Sequence, residues 1–115
     1  MTAPLKESLS RYLQVITTVL SDPVEATAQD GVEILSLFDS THDNYLLLAV
    51  GWDGVRRIHH IIAHLRIRNE KIWVEADNTD AELVQQLLES GVPKEEIVLA
   101  FYSPQKRALT EFAVA

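Results

Sequence analysis

The sequence predicts an α+β fold: an N-terminal helix, an antiparallel four-stranded meander, a second helix and a fifth strand. Three observations lead there. The stretch Tyr45–Glu75, YLLLAVGWDGVRRIHHIIAHLRIRNEKIWVE, holds three strand-like apolar runs divided by two turn dipeptides, Asp53-Gly54 and Asn69-Glu70. Segments before and after it carry apolar residues at helical three- and four-residue spacing. A length of 115 residues is enough for one domain with a real core and too short for two, so 1–115 reads as a single domain.

Leu5, Leu9, Tyr12, Leu13, Ile16, Val19 and Leu20 lay one apolar stripe on a helix over about residues 5–21. Pro4 sits just inside its start, where a missing N–H costs nothing, and Ser21-Asp22-Pro23 ends it. Val24 to Asp30 is small and polar, a loop; Gly31 opens a first strand, Val32 to Phe38, and the turn composition of Asp39 to Asn44 returns the chain. Tyr45 to Val50 is continuously apolar, which predicts a central strand buried on both faces. Asp53-Gly54 then predicts a hairpin turn, because glycine accepts the positive φ of a primed turn.

Strict alternation along the returning strand puts Arg57, His59, Ile61, Ala63, Leu65 and Ile67 on a drier face. Ile58, His60, Ile62, His64, Arg66 and Arg68 fall on the other. After the turn at Asn69-Glu70, Lys71 to Glu75 closes the meander. Thr79 and Glu82 stand in capping-box spacing before a helix over about 80–90 with Ala81, Val84, Leu87 and Leu88 inward; Gly91 and Pro93 stop it. Lys94-Glu95-Glu96 connects to a fifth strand, Ile97 to Phe101, and the tail from Gln105 forms a short helical turn whose apolar end docks.

Charge is unevenly divided. The net charge is −7, but five basic residues against Glu70 alone give Arg56–Lys71 a charge of +4, leaving −11 elsewhere. The acidic balance disfavours non-specific DNA binding by a free monomer, whereas the basic segment is either a solvated sheet face or a docking face for an acidic partner or nucleic acid. Without cysteine there is neither disulfide nor thiolate chemistry, which fits the cytoplasm. Apolar runs reach about seven residues where a membrane helix needs ~20, and MTAPLKES lacks a signal-peptide layout, so no membrane association is expected.

Three histidines, His59, His60 and His64, invite a metal reading. On a regular strand His60 and His64 share a face about 13 Å apart while His59 points away, too far for two imidazoles on one ion. No metal and no cofactor are therefore expected. The acidic residues Asp39, Asp43, Asp53, Glu75 and Asp77 fall mostly in turns, where aspartate serves the backbone. No phosphate loop, Gly-x-Ser-x-Gly elbow, cysteine nucleophile or acidic residue two places before a lysine is present, so no catalytic residue is assigned. Trp52 and Trp73 are expected in the core, unless one lies exposed beside Arg56, Arg57 or Arg66 and becomes an interface anchor.

The blocks VGWDGVRRIHHIIAHLRI, KIWVEADNT, GVPKEEIVLAF and TEFAVA, collinear along the chain, resemble the fdxN element excision controlling factor family, the XisI-like proteins of cyanobacteria. The resemblance implies a non-enzymatic accessory factor for programmed site-specific DNA rearrangement, bound to an XisH-like, nuclease-related companion protein, with DNA contact indirect or weak. Glu70 and Ala100 stand where the family often has glycine, and Asn78 where Asp-Gly-Thr is common; Asn78 and Asn69 are expected to supply left-handed backbone.

The residues expected to bind partner or DNA are Trp52, Arg56, Arg57, His60, His64, Arg66 and Arg68. A central strand apolar on both faces calls for a homodimer, a higher oligomer or a heteromeric partner to finish its burial. Two other function classes stay open: a direct DNA-binding oligomer, and a small-ligand or metal-dependent enzyme with a site near Trp52, Asp53 and His60.

Overall fold

The computed structural model describes residues 11–21, 30–79 and 82–115. The helix start at Pro4, Leu5 and Leu9, the stop at Asp22-Pro23, the connection from Val24 and Ala81 lie outside them. The order is α1 (helical over 11–21), β1 (Val32–Asp39), β2 (Asn44–Asp53), β3 (Arg56–Arg68), β4 (Lys71–Asp77), α2 (Leu83–Glu89), a 3-10 turn (Lys94–Glu96), β5 (Ile97–Leu99) and α3 (Pro104–Arg107). The five strands lie in sequence order, antiparallel through β4. β5 joins β4 in parallel, because the chain returns through α2 rather than a hairpin.

One sheet face carries the core. Tyr12, Ile16, Val19 and Leu20 of α1 and Leu83 and Leu87 of α2 pack with Tyr45, Leu47, Ala49, Leu65, Ile72 and Val74 in one cluster. Trp73 and Val98, also buried, are absent from that cluster and lie on the opposite face, under α3 and the C-terminal residues. There the Arg107 guanidinium stands 5.6 Å from the Trp73 ring, and Ala113 donates to the carbonyl of Ile97 at 2.9 Å, extending the sheet edge.

β3 departs from regular alternation. Leu47 pairs with Ala63 and Leu48 with Ile61, so Ile62 is an extra residue, a β-bulge. One inserted residue moves everything beyond it to the other face. Ile62, Ala63, Leu65 and Ile67 are buried in the core, joined by Ile58, whereas Arg57, His59 and Ile61 share the opposite face with His64, Arg66 and Arg68. The face sets predicted by strict alternation are corrected accordingly. A second bulge, at Glu75 of β4, keeps β4 in step.

Asn78 holds the first bulge. Its backbone N–H donates to the carbonyl of Ile62 at 2.8 Å and its side-chain amide to the carbonyl of Ile61 at 3.1 Å. Asn78 is thus a clamp, not the left-handed residue expected, since it is absent from the positive-φ residues. The second turn is as expected from Asn69, but Glu70 is left-handed too, at φ 54° and 62°.

The first hairpin turn is Gly54-Val55, one residue later than expected, with Gly54 at φ 63°. The capping box does not form: Thr79 donates N–H and hydroxyl to Asp77 Oδ1, and Glu82, left-handed at φ 53°, is itself the N-cap of α2. Nor is β2 buried on both faces, because Leu46, Leu48 and Val50 are only half-buried.

Two outcomes follow from the turns and the clamp. Glu70→Gly removes a left-handed side chain and raises stability by about 0.5–1 kcal/mol after glycine's extra unfolded-state entropy, a rise of ~3–5 °C in Tm by circular dichroism. Asn78→Ala deletes one bond on the bulge and lowers stability by about 1 kcal/mol in urea denaturation.

Candidate functional site

Register across β1, β2 and β3 arranges the face opposite the helices in four rows. They are Glu33–Val50–His59, Leu35–Leu48–Ile61, Leu37–Leu46–His64 and Asp39–Asn44–Arg66. The middle of this face is apolar and open: Leu35, Leu37 and Ile61 are 37%, 46% and 40% exposed. Among the described residues no element covers these rows, while α3 and the tail stop over Trp73 and Val98.

Beyond the first row lies the β2–β3 hairpin tip. Its backbone approaches β1 closely: Trp52 N–H donates to the Gly31 carbonyl at 2.8 Å, and a Cβ on Gly51 would collide with the Gly31 carbonyl. Gly51 is therefore what lets the tip lie against the start of β1. Trp52 is 52% exposed and opposes Arg57, whose guanidinium stands 5.4 Å from the ring centroid. Arg57 also donates to the Gly51 carbonyl at 3.2 Å, so the stack is held from both ends. Arg56 is exposed beside Asp53, its register partner. The condition for an interface anchor, an exposed tryptophan beside an arginine, is met here by Trp52; Trp73 is buried.

The remaining candidates divide. His64 Nε2 donates to Asn44 Oδ1 at 2.9 Å, and its burial holds the imidazole below the usual histidine range. Arg66 pairs with Glu75 at 3.2 Å. Arg68 lies 4.9 Å from the Trp73 ring centroid, and its carbonyl accepts the indole N–H at 3.0 Å. These three side chains thus have work inside the chain. His60 lies on the other face, opposite Ala49, apart from Trp52, Arg57, His64, Arg66 and Arg68.

The bulge changes the histidine geometry as well. His59 and His64 share a face, and His60 does not, the reverse of the expected pairing of His60 with His64. Trp52, Asp53 and His60 do not assemble a pocket: Trp52 is on the open face, and Asp53 and His60 sit four register positions apart along the hairpin, paired with Arg56 and Ala49. Sequence reasoning missed the apolar rows themselves. Their signal was present, since Leu35 and Leu37 alternate with Val32, Ile34 and Phe38 and leave apolar side chains on both sides of β1.

At the far end of the open face the β1–β2 turn is self-contained. Asp39 Oδ1 accepts from Thr41 and His42 backbone N–H groups at 3.0 and 3.2 Å, and Oδ2 meets His42 Nδ1 at 2.7 Å. The His42 contact holds the Asp39 carboxyl below its ordinary range, so it keeps its negative charge through the physiological pH range. Below this turn, burial and the neighbouring Asp43 carboxylate push the Tyr45 phenol up to about 12, and it donates to Asp43 Oδ1 at 3.0 Å.

This architecture recurs in proteins of known structure. The fdxN element excision controlling factor XisI of Anabaena variabilis ATCC 29413 superposes with a TM-score of 0.82 at 39% identity, over 94% of this chain and 99% of that one. A XisI-like protein of the same organism superposes at 0.78 with 34% identity, over 96% of this chain and 98% of that one. No curated protein matches the sequence. The XisI protein family model spans residues 6–114, and with that coverage and these two structural likenesses the chain belongs to the XisI protein family.

Proposed function

We propose that the chain is a non-enzymatic controlling factor in programmed site-specific excision of a DNA element. It acts by binding a nuclease-related, XisH-like companion, and the β2–β3 hairpin tip is where that companion docks. The family supports a regulatory role, its structurally similar member being named an excision controlling factor. The observation that carries the docking site is the Trp52–Arg57 stack, half exposed and braced on the Gly51 carbonyl.

Exposed tryptophan and arginine are the side chains that most often dominate an interface, and a stack already formed in the free protein loses little entropy when a partner arrives. Arg56 adds a second exposed guanidinium to the tip, giving it a positive end on a chain of net charge −7. An acidic companion surface suits that end. A DNA duplex suits it less, because the −11 carried by the rest of the chain repels phosphate. Arg66 and Arg68, engaged with Glu75 and Trp73, stiffen the platform behind the tip.

Co-expression with the companion from the same genome, followed by size-exclusion chromatography with light scattering, tests this. The expected result is co-elution at a defined stoichiometry, and Trp52→Ala with Arg57→Glu weakens the complex by at least ~30-fold while the circular dichroism spectrum is unchanged. Separate elution of the two wild-type proteins overturns it. Binding of this chain alone to duplex DNA, falling steeply with added salt, replaces the companion with DNA as the partner.

A further inference from the structure

The open rows of β1–β3 are a separate feature from the hairpin tip, and their charges are arranged in a way that selects what covers them. We infer that a second copy of this chain covers them, the two sheets packing face to face about a two-fold axis running along β2.

Two sheets that stack do so about 10 Å apart with strand directions within about 30° of each other. An axis in the interface plane has two natural settings. Set across the strands, it lays β1 on β1 in reversed direction and brings Glu33 of one copy to Asp39 of the other, with His59 over Arg66. Both contacts then join like-charged or basic groups, which costs binding energy.

Set along β2, the axis lays β1 of one copy over β3 of the other, row on row. Glu33 then faces His59, Leu35 faces Ile61, Leu37 faces His64, and Asp39 faces Arg66, each contact occurring twice. Leu46 and Leu48 of the two copies meet on the axis itself. Leucine and isoleucine thus fill the middle, with Leu37 laid on the half-buried His64, and acid meets base at both ends. Of the two settings, the one along β2 makes the face complementary to itself.

The side chains are free for this. Glu33 and His59 are exposed, and Leu35, Leu37 and Ile61 are the largest exposed aliphatic side chains of the sheet's three-stranded end. Asp39 and Arg66 already hold His42 and Glu75, so their cross-copy attraction adds to existing pairs at the rim. Burying a continuous apolar patch supplies the drive, and the rim supplies orientation. β1 begins at Val32, so Arg57 has no β1 residue of the second copy opposite it. Trp52, the next open-face residue of β2 after Val50, lies on the axis and serves both surfaces, whereas Arg56 and Arg57 are left for the companion, so Leu48→Arg and Arg57→Glu, and not Trp52→Ala, tell the two binding events apart.

Sedimentation velocity of the purified chain at micromolar concentration tests the inference. A dimer is expected. Leu48→Arg, which sets a guanidinium against its own symmetry mate, raises the dimer dissociation constant at least about 100-fold and gives a folded monomer by circular dichroism. Glu33→Lys, at an exposed position that does not threaten folding, weakens the dimer about tenfold because the pair is counted twice, and adding His59→Glu restores it.

A wild-type monomer overturns the inference, as does a dimer indifferent to Leu48→Arg. So does a monomeric chain whose complex with the companion is lost on Leu48→Arg, which would make this face the companion's. Absence of a complex between the wild-type chain and the companion, with the wild-type dimer formed, counts only against the docking role of the tip.

Discussion

The β-bulge at Ile62 is the constraint on which the rest of this molecule depends. Without the extra residue, a thirteen-residue strand would present one alternating face throughout, and the half of β3 next to the hairpin would show its polar side chains to the helices. With it, Ile58 and Ile62 enter the core together with Ala63, Leu65 and Ile67, while Arg57, His59, Ile61, His64 and Arg66 form one continuous outer stripe. Asn78 fixes the bulge from the end of β4 by bonding the carbonyls on both sides of the inserted peptide, satisfying groups that the ladder cannot reach. A residue just past the end of β4 therefore decides which chemistry the neighbouring strand shows on each face.

The sheet is covered asymmetrically. Helices cover the middle of one face, leaving Phe38, Ser36 and His60 exposed at its margin; on the other, α3, Arg107 and the tail close only the β4–β5 end over Trp73 and Val98. The apolar content of β2 on both sides fits a strand with neighbours above and below, and only one of those neighbours belongs to this chain's described residues. Charge follows the same division, with the basic residues of β3 and β4 on the sheet and the acidic excess elsewhere. The shifted titratable groups answer to their immediate surroundings: the His42 contact holds Asp39 down, burial holds His64 down, and burial with Asp43 pushes Tyr45 up.

Much of this was legible in the residues. The two turns, the apolar run of β2, both helical stripes within the described residues and the order of all five strands come from periodicity and turn chemistry, which are local. The bulge was not, because a strand's pattern Ile58, His60, Ile62, Ala63, Leu65 is equally an alternation with one ambiguous alanine; only register against Leu47 and Leu48 resolves it. The same slip explains why His60 was grouped with His64 and Arg66. Thr79 and Glu82 matched a capping motif by spacing, but Asp77 competes for the Thr79 N–H and hydroxyl, a contact that spacing cannot rank. Trp52 and Trp73 are indistinguishable by type, and their opposite fates follow from the reach of the tail: Trp73 neighbours β5 and is roofed, Trp52 lies at the far end.

The roof over Trp73 and Val98 also sets an order of events in synthesis. Arg107 and Ala113, which close that end of the sheet, leave the ribosome after every strand has emerged. A chain with its meander already paired still exposes Trp73, and Val98 once β5 has joined, in line with Arg66 at the rim of the open face, until Arg107 and Ala113 are seated, and transiently exposed apolar surface of this kind is where chains stick to one another. The tail is accordingly more than an edge cover: its docking shrinks a sticky sheet to a smaller patch, so a chain that has paired its strands but not yet seated Arg107 and Ala113 is the form most prone to self-association.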